Sequence, residues 1–237
     1  MNCKHEKLKL SKIEGKQIQI TDTLTSHSSI EAFIKPYRDN IQKDLDSTIA
    51  YSANTYSKNN GQLNTALGNF MADAIYTEAN PIFKSRTGFE IDMVIINHGG
   101  IRATLNKGEV SKRTAFQLMP FENKIVIVAL KYNQINQLIN YLAKAKRAHP
   151  ISQLKLSLDK NFNVIEAKIK DQPISKNKTY YVATSDYLFN GGDNMSFFKP
   201  NDSVYRLNYK IRNILIDKFN KLDTIKPSID NRFTQIK

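Results

Sequence analysis

The feature that most constrains the fold is the alternation of apolar patterns with two different periods. Apolar residues at helical spacing occur in four segments: 28–51, 63–78, 131–146 and 204–221. Short apolar or alternating runs typical of strands occur in five others: 91–97, 124–130, 154–158, 164–169 and 179–186. Interspersed helical and strand patterns predict an α+β or α/β architecture. We expect an α+β fold with a mixed β-sheet flanked by helices.

The domain organisation follows from where these patterns begin. Ser28-x-x-Glu31 resembles a capping box and predicts the start of the first helix. No linker rich in Pro, Gly or Ser divides the chain after this point, and no period of 20–50 residues repeats. The sequence therefore predicts a flexible N-terminal segment over 1–27 and a single compact domain over 28–237.

Charge and cysteine content exclude several classes of protein. Thirty-five Lys and Arg against 22 Asp and Glu give a net charge of +13, but the cations are spread along the chain. Without clustering or a recognised motif, this charge predicts a solvated surface that attracts small anions, and no specific nucleic-acid partner. The single cysteine, Cys3, excludes an internal disulfide framework.

Two glycine pairs follow predicted strands and are candidates for ligand-binding loops. They lie in Asn97-His98-Gly99-Gly100-Ile101-Arg102 and Asn190-Gly191-Gly192-Asp193. Glycine permits positive φ and a close approach of backbone to ligand. The planar fork of Arg102 suits phosphate, carboxylate or base edges, and the Asp193 carboxylate can accept hydrogen bonds from a vicinal diol. Two tight loops without any ligand are the alternative interpretation.

Two aromatic residues stand beside these loops. Phe121 lies in the loop Met119–Asn123 before a predicted strand, and Tyr187 precedes the second glycine pair. Two rings from separate loops can sandwich a planar ligand, and each base stack contributes about 1–3 kcal/mol in nucleic-acid complexes. Taken singly, each ring is more often part of a hydrophobic core.

Four motifs, in this order, resemble the C-terminal domain of the 5′-nucleotidase/UDP-sugar hydrolase family. They are Gly68-Asn69-Phe70-Met71-Ala72-Asp73-Ala74, the two glycine-pair motifs, and Pro120-Phe121-Glu122-Asn123 between those two. The resemblance spans roughly Ile49 to Phe233. It implies a mixed α+β domain that binds the nucleoside, while a dimetal phosphatase domain at the N-terminal side of the family's proteins performs hydrolysis.

The resemblance also implies a role for individual residues. Phe121 and Tyr187 match the two stacking partners of the base, although the second position is normally phenylalanine in the family. Asn97 and Arg102 resemble polar ligands of base, ribose or phosphate, Asn123 a base contact, and Asp193 the acceptor of the ribose hydroxyls. The predicted substrate-binding residues are Asn97, Gly100, Arg102, Phe121, Asn123, Tyr187 and Asp193.

The sequence departs from the family in two places. Arginines expected just before the Gly68-Asn69 helix are missing from residues 59–64, and Lys58 is the nearest cation that can replace them. The Asp-x-His, Gly-Asp, Gly-Asn-His and Gly-His-x-His patterns that hold two metals are also missing. We therefore expect no catalytic residue, metal or other cofactor in this chain, and no hydrolysis of phosphate esters by it alone.

Three functions are consistent with these observations. The first is the nucleoside-binding half of a split 5′-nucleotidase, with divalent metals supplied by a separate metallophosphatase partner. The second is a stand-alone nucleoside- or nucleotide-binding protein, and the third is a domain whose pocket has lost its ligand. The resemblance implies a periplasmic or cell-surface location, because members of the family act on extracellular or periplasmic nucleotides, and Cys3 near the start fits a lipid-anchored bacterial protein. An ordinary cysteine in a cytosolic tail is the alternative.

Overall fold

A computed structural model describes residues 9–199 and 201–236 of the chain. The α-helices are α1 (Ser28–Asp46), α2 (Ala66–Thr87), α3 (Lys112–Leu118), α4 (Tyr132–Ala145), α5 (Asp186–Phe189) and α6 (Ile211–Asn220). The strands are β1 (Thr48–Ser52), β2 (Met93–Ile95), β3 (Gly108–Ser111), β4 (Lys124–Leu130), β5 (Ile151–Ser152), β6 (Leu154–Leu158), β7 (Val164–Ile169), β8 (Gln172–Pro173), β9 (Tyr180–Ser185), β10 (Ser203–Lys210), β11 (Thr224–Ile225) and β12 (Phe233–Gln235).

The chain separates into two units, residues 1–42 and 43–237. In the first unit, residues 9–27 carry neither helix nor strand, and α1 begins at Ser28, as its capping-box pattern predicts. A domain boundary after residue 27 stays a prediction. Cys3, on which the proposed lipid anchor depends, lies outside the described residues. None of the helices in the described ranges is both long and apolar enough to span a bilayer.

A five-stranded mixed sheet forms the centre of the second unit. Its strand order is β10-β4-β9-β2-β5, with β2 parallel to β9 and the other pairs antiparallel. Ile125 and Ile127 of β4 pack into one hydrophobic cluster with α2 and α6. Val126 and Val128 pack into a second cluster with α4 on the other face. Because helices cover both faces, β4 reads as a continuous apolar run rather than an alternating one.

Two smaller mixed sheets complete this unit. One has the strand order β11-β1-β3, and the other has the order β12-β6-β7-β8. The predicted hairpin is present, since β6 and β7 pair antiparallel with Leu156 opposite Ala167. The mixed α+β class is therefore confirmed, with three sheets rather than one.

Two predicted helices were partly wrong. The segment 204–221 was expected to be helical throughout, but Ser203–Lys210 forms β10 and the helix starts only at Ile211. β10 pairs with β4 about 80 residues earlier, for example Tyr205 with Ile127, and local spacing cannot reveal such a partner. The first helix likewise ends at Asp46, because Thr48–Ser52 forms β1 between β3 and β11.

The helix predicted over 63–78 is longer and begins later. Thr65 caps the start of α2 by accepting a 3.1 Å hydrogen bond from the Gly68 backbone. The helix continues through Pro81 and ends at Gly88, whose φ of 78° lies in the left-handed region that favours glycine. These caps, rather than the apolar stripe, set both ends of the helix.

The topology of the central sheet brings three loops to one edge. β2 and β9 are parallel, so the loops that follow them leave the sheet on the same side. β4 is antiparallel to β9, with Ile125 opposite Ser185, so the loop before β4 lies at this edge as well. Residues 97–102, 120–123 and 186–193 therefore meet, although they are far apart in sequence.

Candidate functional site

A cavity of about 360 Å³ lies where these three loops meet. Its lining residues are Asn97, Gly99, Gly100, Arg102, Phe121, Asn123, Tyr187 and Asp193. All seven residues predicted from the sequence are present, together with Gly99 from the same motif. The structure thus brings the predicted residues into one place, and their roles toward a ligand stay predictions.

The two aromatic rings of the cavity are partly exposed. Phe121 is 40% exposed and Tyr187 is 45% exposed, whereas most large apolar side chains of this unit are buried. Neither ring stacks on another aromatic ring among residues 9–199 and 201–236. The Arg102 guanidinium lies 5.8 Å from the centroid of Phe121. The rings are therefore not core residues, and they offer apolar surface to a planar ligand.

Asn97 is the most deeply buried polar side chain of the cavity. It is only 8% exposed and immediately precedes the 3-10 turn His98–Gly100. Its side-chain amide makes no hydrogen bond with any described residue. A Cβ on Gly100 would lie 2.9 Å from Asn97 Oδ1, so glycine is needed to let this side chain reach the cavity. Because Asn97 lines the cavity, its amide can donate to and accept from a ligand there.

A tight turn after α5 fixes Asp193. Gly191 and Asp193 have φ values of 99° and 51°, both in the left-handed region. The backbone carbonyl of Asp193 accepts a 2.9 Å hydrogen bond from the Tyr141 hydroxyl on α4. The Asp193 carboxylate accepts a 2.9 Å hydrogen bond from the Tyr187 hydroxyl. Tyr141 was not among the predicted site residues, because nothing in its sequence context indicates this contact.

The loop that carries Phe121 is held by the start of α6, a connection that the sequence did not indicate. Arg212, 6% exposed, donates to the Pro120 carbonyl at 3.3 Å and also pairs with Glu122. Lys210 pairs with the same carboxylate. Hydrogen bonds from Lys210, and then from Arg212, lower the pKa of Glu122 to about 2. Glu122 is therefore ionised, and its ion pairs are formed, across the physiological pH range.

A second cavity of about 520 Å³ adjoins the first at Gly99. The charged and titratable side chains that line it are Lys58, His98, Lys146 and Arg147, and no carboxylate is among its lining residues. Lys58 donates a 2.7 Å hydrogen bond to the Ile101 carbonyl, which anchors its ammonium beside the first glycine-pair loop. A basic cavity next to the first one favours a ligand that carries negative charge.

Hydrogen bonds hold both histidines of this region, His98 and His149, in place. His98 Nδ1 lies 3.1 Å from the Ala148 carbonyl, and the His98 backbone donates to His149 Nδ1 at 3.4 Å. Burial lowers the pKa of His98 below its usual value.

Across the described residues, no group of three or more His, Cys, Asp or Glu side chains is arranged to hold a metal ion.

The fold and the loop cavity define the class of protein to which the chain belongs. Residues 43–200 match the model of the family described as 5′-nucleotidase, C-terminal domain. Because the match covers more than half of the chain, the chain belongs to this family.

Individual relatives agree with this assignment. Over 73% of this chain, the sequence is 28% identical to the trifunctional nucleotide phosphoesterase protein YfkN of Bacillus subtilis. Over 78% of this chain, it is 27% identical to the cell wall protein Lmo0130 of Listeria monocytogenes. These matches span only 12% and 26% of the two relatives. A 5′-nucleotidase precursor from Thermus thermophilus has the same fold, with a TM-score of 0.70 at 19% identity over 88% of this chain and 42% of that one.

Proposed function

We propose that the chain is the nucleoside- or nucleotide-binding half of a 5′-nucleotidase-like hydrolase. A separate dimetal phosphatase chain would hydrolyse the phosphate ester. The observation that carries this proposal is the cavity of about 360 Å³ at the sheet edge, which combines two half-exposed rings, the Asn97 amide, to which no described residue hydrogen-bonds, and an acceptor carboxylate. Planar apolar surface together with a few convergent polar groups is the composition expected of a small-molecule site.

Each side chain has a part in this proposal. Phe121 and Tyr187 clamp the base between them, and Asn123 and Asn97 hydrogen-bond to its edge or to the sugar. Asp193 accepts hydrogen bonds from the sugar hydroxyls. Arg102 reaches toward the anionic end of the ligand, and the adjoining basic cavity supports that orientation.

The chemistry would take place on the partner. Binding energy from the base and sugar would hold the phosphate in a reactive position at the partner's metals, which lowers the barrier without any catalytic group in this chain. The much greater length of the relatives is consistent with a need for further catalytic parts. Because one relative is a cell wall protein, we also place this chain outside the cytoplasm.

Calorimetric titration with adenosine, AMP and UMP tests the base clamp. Tyr187→Ala and Phe121→Ala should each weaken saturable binding roughly tenfold or more, because each removes one base stack worth about 1–3 kcal/mol. Tyr51→Ala is the matched control, since Tyr51 is also 45% exposed but lies on β1 and lines none of the cavities described above. Equal affinities in wild type and both site variants would refute the clamp.

Phosphate release separates the split enzyme from a stand-alone binder. AMP should be hydrolysed only when the chain is mixed with its metallophosphatase partner, and Tyr187→Ala should lower that rate. A chain that binds nucleosides but leaves the hydrolysis rate of every candidate partner unchanged would instead be a binding protein.

A further inference from the structure

Tyr187 contacts Asp193 as well as the cavity. The Tyr187 hydroxyl donates to Asp193 Oδ1 at 2.9 Å, and both side chains line the cavity. This hydrogen bond raises the pKa of Tyr187 above its usual value, so the hydroxyl remains protonated and remains the donor at neutral pH. One of the two carboxylate oxygens is therefore engaged before any ligand arrives.

The surrounding turn holds the two side chains together. A Cβ on Gly192 would lie 2.5 Å from two carbon atoms of the Tyr187 ring, so the ring packs directly against the Gly192 backbone. The left-handed backbone of Gly191 and Asp193 turns the carboxylate back toward the ring. The Tyr141 hydroxyl holds the Asp193 carbonyl from α4. The contact between ring hydroxyl and carboxylate is thus part of the folded turn.

This contact limits what the carboxylate can accept from a sugar. An ionised carboxylate has two oxygens with about four lone-pair sites, and the two hydroxyls of a ribose can donate to one oxygen each. A sugar hydroxyl at Oδ1 must share that oxygen with the Tyr187 hydroxyl, whereas Oδ2 accepts from no donor among the described residues. A phenylalanine at position 187 would keep the stacking surface and release Oδ1.

We propose that Tyr187 sets the sugar selectivity of the site by competing with one sugar hydroxyl for Oδ1 of Asp193, so that this hydroxyl contributes little to affinity. The ligand class is then nucleosides or nucleotides of either ribose or deoxyribose, since loss of one hydroxyl costs the complex little. This inference rests on the proposed function, because it assumes that the cavity holds a nucleoside.

The test compares Tyr187→Phe with wild type using the whole chain and three ligands: adenosine, 2′-deoxyadenosine and 3′-deoxyadenosine. In wild type, at least one deoxynucleoside should bind within about twofold of adenosine. In Tyr187→Phe, both should bind roughly tenfold more weakly than adenosine, because each would then lose a hydrogen bond to a charged group. Tyr209→Phe is the control, since it removes a hydroxyl that donates to a carboxylate, that of Asp217, outside the cavity. It should keep the wild-type ratios.

The outcomes distinguish this inference from the function on which it rests. Unchanged ratios in Tyr187→Phe, with all three ligands still binding, would overturn the sugar-selectivity role and leave the proposed function standing. A wild-type chain that needs both hydroxyls would overturn it too. No binding of any nucleoside to wild type or variant would overturn the proposed function together with the inference.

Discussion

His149 is a single buried side chain whose protonation is coupled to folding. It is 4% exposed, and its ring lies edge-on to Tyr141 with centroids 5.6 Å apart. Burial lowers the pKa of His149 to about 4. Among the charged and titratable groups nearby, Asp193 favours the protonated ring, whereas His98 and Arg147 oppose it. Since Nδ1 accepts a hydrogen bond from the His98 backbone, the ring is neutral in the folded chain.

The stability of the chain should therefore depend on His149 in mildly acidic solution. Between pH 6.5 and about 4 the unfolded chain binds a proton at this ring that the folded chain does not, so stability falls as the pH falls. The total loss is about 3 kcal/mol for a shift of this size. Urea unfolding of wild type and His149→Asn at pH 7 and pH 4.5 should show a much smaller loss in the variant. The same loss in both proteins would assign the acid sensitivity to other groups.

At the scale of an element, the loop 120–123 depends on α6 for its position. The Ile211 backbone donates to the Asn123 carbonyl at 3.0 Å, and Arg212 binds both the Pro120 carbonyl and Glu122. The Arg212 guanidinium also covers the Phe116 ring at 4.0 Å. Its Nε is buried without a hydrogen-bond partner in the described part of the chain, which costs stability. The buried Nε of Arg212 thus lowers the stability of the fold, but the hydrogen bonds of the same side chain position the loop that contributes Phe121 and Asn123 to the cavity.

Arg212→Met should separate binding from stability. Methionine keeps the apolar contact with Phe116 and removes the unsatisfied Nε, so the free energy of unfolding should change by about 1 kcal/mol or less. Nucleoside affinity should fall roughly fivefold or more, because the loop that carries Phe121 loses the hydrogen bonds of Arg212 to Pro120 and Glu122. Calorimetric titration and urea unfolding of the same preparation measure the two effects. Wild-type affinity in this variant would show that the Ile211 hydrogen bond alone positions the loop.

The same scale shows where sequence patterns mislead. Leu207, Ile211, Leu215 and Phe219 recur every four residues, as on one face of a helix, yet Leu207 belongs to strand β10. A register shift between Arg206 and Lys210, with Asn208 at a φ of 57°, lets the chain leave the sheet and enter α6. In contrast, β4 and α4 were predicted within one residue at each end, because both are long, strongly patterned and bounded by polar residues.

Across the whole second unit, Arg232 ties the C-terminal region to the centre of the fold. Its guanidinium donates to both carboxylate oxygens of Asp73 on α2 at 2.9 Å and to the Ile151 carbonyl of β5 at 2.7 Å. Asp73 also accepts a hydrogen bond from Ser152 at 2.6 Å. The Arg232 side chain is only 17% exposed and also donates to Asp230, but the Asp73 side chain is 43% exposed, so these charge-assisted hydrogen bonds are partly shielded from water.

Arg232→Met should destabilise the unit by about 1–3 kcal/mol, because it removes the hydrogen bonds of a largely buried guanidinium to Asp73, Asp230 and the Ile151 carbonyl. Arg113→Met is the control, since Arg113 forms a comparable two-pronged pair with Asp46 but is 40% exposed. That exposed pair should contribute about 1 kcal/mol or less. Urea unfolding measures both variants. Equal losses would mean that burial of the Arg232 pair adds nothing to its stabilising effect.

The sequence alone determined the class of fold, the main helices and strands, and the residues of the cavity. The glycine pairs, the two aromatics, Arg102 and Asp193 were candidates from their residue types and positions, whereas Asn97 and Asn123 were assigned through the resemblance to the 5′-nucleotidase family. Only the tertiary structure decided which strands pair, and therefore that the loops after β2 and β9 and before β4 meet at one edge. The tertiary structure also produces the hydrogen bond between Tyr187 and Asp193 and the hydrogen bond from Arg212 to the Pro120 carbonyl. Such contacts depend on distances and directions between segments far apart in the chain or across a turn, which residue spacing does not encode.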